Sequence, residues 1–426
     1  MMPNGPGRPG PLLRRGPRPL LLHLMLAQLR SAMSLATLPA AWTGSSGAWP
    51  GWKAEGIGRI AEALCRQRGA QSGAWPGAGA EAAQAFARGV VRELGRADRA
   101  LVAGIAAYRR HPYVRRLADP PAIWAEGGSR LLDFGGQGRP VLVVPSLINR
   151  AYVLDLAEGA SFMRWLAASG VRAVLLDWGW PGAAERQFTL TDYVAGRMMR
   201  AAEAVQAAAG EAPVLVGYCM GGTMAAGAAA LRPGLFAAFA ALATPWDFHA
   251  PDGGAQGRSL AALVPLVEPL FAFNGTLPID GLQLLFAALD PFAIADKYRA
   301  FARLDPAGAR AERFVALEDW LNDGVPLAAP VARTCLAEWY GRNDTGRSTW
   351  RVAGLAVRPE AIALPAFVAI PARDRIVPPE SAEALAARLP RAVVHRPAAG
   401  HIGMAAGSTA ERALWQPFRR WLSTLP

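Results

Sequence analysis

Gly217-Tyr218-Cys219-Met220-Gly221-Gly222 is the stretch that decides the fold. It follows an apolar run that ends at Val216 and precedes a run of small residues that begins at Thr223. A strand, a sharp turn that carries a nucleophile, and a helix of small residues are together typical of a nucleophile elbow. The glycines allow strained backbone angles at the turn and close packing of helix on strand. The nucleophile in this elbow is a thiol, where most such turns carry a serine.

Strand and helix signals alternate along the chain from about residue 130 onward. This order predicts a mostly parallel sheet with helices on both faces, and the elbow in its middle predicts an α/β-hydrolase fold. The predicted strands are Pro140–Val144, Val171–Leu176, Pro213–Val216, Phe236–Ala243, Ala366–Ile370 and Ala392–His395.

Changes in composition and in the pattern of helix and strand signals divide the chain into four predicted parts. The stretch between the middle and late strands is helical and aromatic-rich, and its position in the fold favours a cap over the site. The alternative for this stretch is a helical bundle that packs at the side. The parts are a disordered basic tail (1–19), a mostly helical region (20–129), the hydrolase core (130–245 and 364–426) and the cap (246–363).

The net charge of +12 comes almost entirely from arginine. It indicates either attraction to anionic partners or a compositional bias, and we favour the bias because no basic block is interleaved with aromatics. We therefore expect no nucleic-acid partner. The apolar run Leu20–Leu26 is too short to span a bilayer and favours an amphipathic helix over a secretory signal. No other stretch reaches transmembrane length uninterrupted, so we expect a soluble, cytoplasmic protein.

The counts of three cysteines and five histidines limit the redox and metal chemistry that the chain can carry. The cysteine count fits a reducing compartment with one reactive thiol rather than a disulfide framework. No histidine pairs with a cysteine at a metal-ligand spacing, so we expect no metal and no bound cofactor.

A thiol nucleophile needs a base, and the base needs an acid that orients it. In this fold the chain order is nucleophile, acid, base. Asp374 follows the strand Ala366–Ile370 and His401 follows the strand Ala392–His395, both at the catalytic edge of the sheet. Cys219, Asp374 and His401 therefore form the predicted triad.

Other residues compete for each role in the triad. Cys65 and Cys335 have no elbow around them, and a lone cysteine is more often packing than chemistry. His395 lies within a strand rather than after it. Asp247 and Asp323 compete as the acid but do not follow the late strand.

An oxyanion hole should accompany the triad. One donor should be the backbone N–H of Met220, directly after the nucleophile. The other should come from the loop after an early strand, and we expect the backbone N–H of Leu147 or Ile148. Ser146 and Asn149 in that loop either contribute side chains or shape the turn.

Several motifs resemble those of the polyhydroxyalkanoate synthases, in particular their two-subunit (class III) branch. The resemblance covers roughly residue 130 to the end. The matching stretches are Val144–Leu156 (VPSLINRAYVLDL), Asp177–Pro181 (DWGWP), Gly217–Thr223 (GYCMGGT), Glu318–Asp323 (EDWLND), Asp374–Pro378 (DRIVP) and Gly400–Gly403 (GHIG).

This resemblance implies polymerisation of 3-hydroxyacyl-CoA with release of CoA. It implies that Cys219 carries the growing polyester as a thioester, that His401 deprotonates Cys219, and that Asp374 helps to activate the 3-hydroxyl of the next unit. Acyl-CoA would be the substrate, the polymer granule surface a place of action, and a homodimer or a second synthase subunit the assembly.

Two departures from the family pattern and two other functions stay open. Arg375 stands where family members often have histidine, and the N-terminal region is longer than in the class III catalytic subunit. A related cysteine hydrolase, such as a thioesterase or intracellular polyester depolymerase, is the alternative enzyme. A granule-associated scaffold with a degenerate site is the non-enzymatic alternative.

Overall fold

The computed structural model describes residues 14–36 and 80–426. The chain divides into two compact units by contact: Met1–Val114 with Gln283–Asn322, and Arg115–Leu282 with Asp323–Pro426. The first is called here the helical unit and the second the sheet unit. The stretch predicted as a cap, 246–363, is thus shared between the two units.

The sheet unit is built on an eight-stranded sheet in the order β1-β2-β4-β3-β5-β6-β7-β8. From β4 to β8 all neighbours run parallel, whereas β1 and β2 pair antiparallel. Runs of buried Val, Leu and Ala form the central strands, as expected where helices cover both faces. The strands are β1 Ala122–Glu126, β2 Ser129–Asp133, β3 Pro140–Val144, β4 Arg172–Asp177, β5 Val214–Tyr218, β6 Ala238–Leu242, β7 Ala366–Ala369 and β8 Ala392–His395.

The strand β1 lies in the stretch that the sequence predicts as helical. It is an edge strand with mostly exposed side chains, so it lacks the apolar run that marks a buried strand. Its turn to β2 places Gly127 at φ +55°, a left-handed conformation that glycine adopts without strain.

The helices alternate with the strands in the sheet unit and make up the helical unit. The segments Asp192–Met198, Thr334–Arg342 and Glu411–Trp415 are π-helical. The α-helices are α1 Leu20–Ala36, α2 Ala80–Arg110, α3 Phe162–Ala168, α4 Met199–Ala209, α5 Met220–Leu231, α6 Ala255–Ala261, α7 Val264–Asn274, α8 Ile279–Leu289, α9 Ala293–Phe301, α10 Ala309–Asn322, α11 Ala329–Arg333, α12 Pro379–Ala386, α13 His401–Ala406 and α14 Gln416–Leu422.

The helical unit has its own apolar core between α1, α2, α9 and α10. Tyr108 packs edge-on against Tyr298 at 5.6 Å between ring centroids, and Phe301 stacks on Phe314 at 4.2 Å. The buried members of this core are Ala27, Leu101, Ile105, Tyr108, Ala295, Tyr298, Phe301, Ala311 and Val315. The N-terminal helices α1 and α2 thus share one apolar core with the later helices α9 and α10.

Residues 14–19, predicted within a disordered tail, make defined contacts in the helical unit. The Arg14 guanidinium pairs with the Asp319 carboxylate at 2.7 Å, and the Tyr108 hydroxyl donates to the same carboxylate at 2.8 Å. The backbone N–H of Arg18 donates to Asn322 Oδ1 at 3.0 Å. Residues 1–13 of the predicted tail and Cys65 lie outside the described residues.

Within residues 14–36 and 80–426, none of the helices is both long enough and apolar enough to cross a membrane.

Candidate active site

Cys219 lies between the end of β5 and the start of α5. Its φ of 57° and ψ of −130° are strained for a residue with a side chain, as expected of a nucleophile elbow. The Cys219 N–H donates to the Leu242 carbonyl on β6 at 2.9 Å, and the Cys219 carbonyl accepts from Gly222 N–H at 2.8 Å. These two bonds hold the strained turn between a strand and a helix.

Three glycines allow the chain to close on itself at this turn. A Cβ added at Gly217 would lie 2.3 Å from the Cα of Gly222, and one added at Gly221 would lie 2.3 Å from the Val144 carbonyl oxygen. A Cβ at Gly222 would lie 1.9 Å from Thr244 Oγ1. No Cβ can occupy such positions. Glycine is therefore required at all three, because neighbouring atoms lie too close to leave room for a side chain.

The substitution Gly217→Ala should destabilise the protein by about 2 kcal/mol or more, because the new methyl meets backbone that cannot move aside. Gly234→Ala is the matched control, since nothing lies within 4 Å of an added Cβ there. Its effect should stay within about 0.5 kcal/mol. Urea unfolding of both variants measures the difference, and equal midpoints would contradict the packing argument.

The structure brings Asp374 and His401 together. His401 Nδ1 donates to Asp374 Oδ2 at 2.7 Å, and both side chains are buried. The other carboxylate oxygen, Oδ1, accepts the backbone N–H groups of Ile376 and Val377, each at 2.9 Å. This leaves Asp374 in one orientation, so it holds the His401 ring with its Nε2 edge turned away from the carboxylate.

Cys219 and Tyr218 complete the surroundings of the His401 ring. The Tyr218 ring packs against it at 5.2 Å, and the Tyr218 hydroxyl donates to the His401 carbonyl at 3.3 Å. Burial alone lowers the pKa of His401, but the charge of Cys219 and hydrogen bonds to Asp374 and Cys219 outweigh it and raise the pKa to about 10. The hydrogen bond between His401 and Cys219 is the contact through which a base can take the proton of a thiol nucleophile.

Removing the thiol should lower the pKa of His401. The lowering effect of burial is then opposed only by the hydrogen bond to Asp374 and by its charge. NMR titration of labelled histidine rings measures this: the wild-type ring should hold its proton to about pH 10, and the Cys219→Ala ring should lose it at lower pH. The stability that this proton adds is complete below the ordinary pKa of 6.5 and is lost as pH rises through about 10. Cys335→Ala is the control, and an unchanged His401 titration in Cys219→Ala would contradict the coupling.

The competing residues lie in other surroundings. Cys335 is on the π-helical segment Thr334–Arg342, where burial and then the charge of Glu338 raise its pKa to about 12. His395 Nε2 contacts the Ala413 carbonyl at 2.6 Å. The carboxylate of Asp247 accepts the Asn343 side-chain amide at 2.8 Å. None of these contacts resembles the Asp374–His401 pair.

The loop after β3 packs against the start of α5. An added Cβ on Gly221 would lie 2.6 Å from the Pro145 carbonyl oxygen, which also accepts the Trp178 indole N–H at 3.0 Å. The Ile148 N–H donates to Ser146 Oγ at 3.1 Å, so that candidate oxyanion donor already has a partner. Met220 lies in the first turn of α5, where the backbone N–H groups have no partner within the helix. Leu147 is therefore the better of the two loop candidates to act with Met220.

The indole of Trp178 holds the loop after β3 through Pro145, and Trp178 was not among the predicted site residues. The motif Asp177–Pro181 could have indicated this contact, because a buried tryptophan needs an acceptor for its indole N–H. Trp178 is buried at the end of β4 and meets Tyr193 edge-on at 5.4 Å. Its contact with Pro145 fixes the loop next to the elbow.

Most of the aromatic residues that the sequence places in the cap pack against one another. In the sheet unit, Trp350 meets both Trp246 and Trp339 edge-on, at 6.4 Å and 5.4 Å, and Phe248 contacts Trp339 and Tyr340. The charge of Cys219 contributes to raising the pKa of Tyr340, after burial. This aromatic cluster therefore reaches the surroundings of the thiol.

Within the described part of the chain, no three His, Cys, Asp or Glu side chains gather as metal ligands.

The sheet order, the elbow after β5 and the acid–histidine pair after β7 and β8 define an α/β-hydrolase-fold protein. A family profile described as the alpha/beta hydrolase fold matches residues 139–264. Among curated proteins, the chain is similar to poly(3-hydroxyalkanoate) polymerase subunit PhaC of three organisms. In Haloferax mediterranei the identity is 30%, over 71% of this chain and 63% of the relative. In Allochromatium vinosum it is 29%, over 67% and 80%, and in Synechocystis sp. it is 29%, over 67% and 77%.

The chain has the α/β-hydrolase fold, and these similarities support a place among the polyhydroxyalkanoate synthases. The match spans less than two thirds of the Haloferax protein and about four fifths of the Allochromatium protein.

Proposed function

We propose that this protein is an acyltransferase that polymerises 3-hydroxyacyl-CoA and carries the growing polyester as a thioester on Cys219. The observation that carries the proposal is the 2.7 Å pairing of Asp374 with His401 beside a thiol in a strained elbow. The polymerase names of the relatives support the substrate class. A thiol suits this substrate because it exchanges readily with another thioester of similar thiol pKa.

The first half-reaction loads the enzyme. With the proton of Cys219 held on His401, the Cys219 sulfur attacks the thioester carbonyl of the acyl-CoA. The bond from that carbonyl to the CoA sulfur breaks, and the departing CoA thiolate takes the proton from His401. Backbone N–H groups at Met220 and Leu147 would stabilise the negative oxygen that forms in between.

The second half-reaction extends the chain. His401 accepts the proton of the 3-hydroxyl of an incoming unit, whose oxygen attacks the acyl carbonyl on Cys219. The bond from that carbonyl to Cys219 sulfur breaks, an ester forms, and the proton passes to the released sulfur. Asp374 acts through His401 in both steps, since its carboxylate bonds to Nδ1 and stabilises the imidazolium.

The alternative is a related cysteine hydrolase, in which water takes the place of the 3-hydroxyl. Purified protein incubated with 3-hydroxybutyryl-CoA separates the two functions. CoA release with turbid polymer is the expected result, whereas CoA release with free 3-hydroxybutyrate alone would support the hydrolase. Absence of CoA release in both the wild type and Cys219→Ala would support the scaffold instead.

The same assay addresses the assembly. Activity of the chain by itself, measured alongside its mass in solution, distinguishes a homodimer from a requirement for a second synthase subunit. We expect the enzyme to work in the cytoplasm at the surface of polymer granules, because the insoluble product stays attached to Cys219. Imaging of a fluorescent fusion in polymer-accumulating cells tests that location.

A further inference from the structure

The helix α1 presents an apolar face to solvent. Leu21, Met25 and Leu29 recur at every fourth residue and therefore share one side of the helix, and their exposed fractions are 74%, 69% and 51%. Single exposed apolar residues are common, whereas a contiguous set is typical of an interaction surface. The exposed residues of α1 are Leu21, Met25, Gln28, Leu29, Ala32, Leu35 and Ala36, of which only Gln28 is polar.

Other polar residues of α1 are turned toward the protein. Arg30 pairs with Asp296 on α9 at 3.0 Å, and Ser31 Oγ donates to the Asp98 carboxylate on α2 at 3.3 Å. Ser34 Oγ donates to the Arg30 carbonyl at 2.8 Å. A surface helix in water normally has the opposite distribution, with its polar side chains exposed and its apolar side chains inside. The outer face of α1 is therefore suited to contact with something other than water.

Two valines of α2 extend this apolar face. Val91 and Val102 are 55% and 60% exposed. Asp98 lies seven residues after Val91 and four before Val102, so the three residues share one side of α2. Since Asp98 contacts Ser31 of α1, both valines lie on the side of α2 that meets α1. Five residues are called here the apolar patch: Leu21, Met25, Leu29, Val91 and Val102.

Three exposed arginines of α2 flank the apolar patch. Arg88 lies three residues before Val91, and Arg99 lies three residues before Val102, so each is next to an exposed valine on the helix surface. Arg92 follows Arg88 by four residues and Arg99 follows Arg92 by seven, so the three arginines form a stripe along one side of α2. The apolar patch is thus bordered by positive charge.

The described acids of α2 are engaged with other arginines. Glu93 pairs with Arg96 at 2.6 Å, and Asp98 lies 3.6 Å from the Arg299 guanidinium. The stripe therefore keeps its charge for an outside partner, and the net charge of +12 adds attraction to anions. An anionic lipid surface matches both features, because apolar side chains enter the boundary of its acyl chains while arginines meet its phosphates. A neutral polymer surface offers the arginines no partner, and a second copy of the chain would bring like charges together.

We propose that α1 and α2 form a docking surface for anionic phospholipid. The apolar patch lies at the boundary between headgroups and acyl chains, and Arg88, Arg92 and Arg99 contact the phosphates. The helices lie along the lipid surface in this arrangement. The inference concerns binding alone and does not depend on the proposed catalytic function, so each can fail without the other.

Flotation of the whole chain with lipid vesicles tests the proposal. The wild type should bind vesicles of equal parts phosphatidylglycerol and phosphatidylcholine, and added salt should weaken this binding because it screens exposed charges. Binding to vesicles of phosphatidylcholine alone should be at least tenfold weaker. Equal binding to both kinds of vesicle would overturn the proposal, since the arginines would then have no part in it.

Arg88→Gln with Arg99→Gln tests the basic stripe. Each cation near an anionic lipid surface adds about fivefold in affinity, so the double variant should bind the anionic vesicles about 25-fold more weakly. Arg358→Gln with Arg412→Gln is the matched control, because it removes the same charge from exposed arginines of the sheet unit. The control should stay within about threefold of the wild type. Equal losses in both double variants would contradict the proposal, because the attraction would then come from net charge alone.

The triple variant Leu21→Gln, Met25→Gln and Leu29→Gln tests the apolar patch. These side chains are exposed, so the melting temperature should change by no more than a few degrees, while binding to the anionic vesicles should fall about tenfold or more. Leu355→Gln is the control, since this leucine of the sheet unit is 61% exposed and lies outside the patch. Wild-type binding by a folded triple variant would refute a role for α1.

Two other occupants of the patch give different results. If a second copy covers it, light scattering should find a wild-type dimer that does not bind the vesicles, and a monomer for the triple variant. If polyester covers it, the wild type and Arg88→Gln with Arg99→Gln should bind polyhydroxybutyrate particles equally, and neither should bind the anionic vesicles. Either result would overturn the assignment to anionic lipid.

Discussion

Replacement of Cys219 by alanine is expected to reduce CoA release from 3-hydroxybutyryl-CoA by about 10⁴-fold or more, the scale seen when a triad nucleophile is removed. The reason is that Cys219 is the thiol that the strained elbow presents beside the Asp374–His401 pair. Cys219→Ser should also lose most of the activity, since a serine hydroxyl is a far weaker nucleophile at neutral pH. A free-thiol assay for CoA measures both variants.

Cys335→Ala is the matched control for this experiment. Burial raises the pKa of Cys335 to about 12, so its thiol is not ionised at neutral pH and its loss should leave the rate within a few fold. Intact-mass analysis after one turnover should find the acyl group on wild-type protein and on Cys335→Ala, but not on Cys219→Ala. Polymerisation by Cys219→Ser at the wild-type rate would refute sulfur as the essential atom.

Replacement of Asp374 by asparagine should lower kcat by about 10⁴-fold, as in other triads where the acid becomes an amide. The structure gives a specific reason. The backbone N–H groups of Ile376 and Val377 both need an acceptor, so the asparagine oxygen will face them and its NH₂ will face His401 Nδ1. An N–H donor at Nδ1 forces the proton onto Nε2, and His401 can then no longer take the proton of the thiol.

Asp247→Asn is the control for the acid, because the sequence left Asp247 as a competitor. The Asp247 carboxylate contacts Asn343 and the backbone N–H of His249 rather than a catalytic histidine, so this variant should keep its rate within a few fold. NMR of the histidine ring nitrogens should report the changed tautomer in Asp374→Asn alone. An active Asp374→Asn, or an inactive but folded Asp247→Asn, would reverse the assignment of the acid.

Much of the fold follows from local pattern. The run Pro140–Val144 forms a fully buried strand at the predicted residues, because a short apolar run with branched residues has few other ways to be buried. Ala392–His395 also forms a strand at the predicted residues, at the edge of the sheet and with both valines exposed. The elbow is equally local, since its glycines and its thiol lie within six consecutive residues. The α/β-hydrolase fold and the resemblance to the polyhydroxyalkanoate synthases both follow from these motifs.

The edge strand and the contacts between distant segments were harder to predict from the sequence. The edge strand Ala122–Glu126 has no buried run, and its place depends on pairing with Ser129–Asp133. The contacts of Arg14 with Asp319 join residues some three hundred positions apart, so composition alone indicated disorder. The division of the stretch 246–363 between two units depends in the same way on packing partners far along the chain.

The sequence by itself determined the candidate nucleophile, the order of the candidate triad and the parallel sheet that carries it, because chain order and hydrophobic pattern are properties of the chain alone. Only the tertiary structure decided which hydrogen bonds are made. It engages Ile148 N–H with Ser146 and turns the two oxygens of Asp374 to different partners. Hydrogen bonds depend on distances of a few tenths of an ångström between segments, and such distances exist only once the chain is packed.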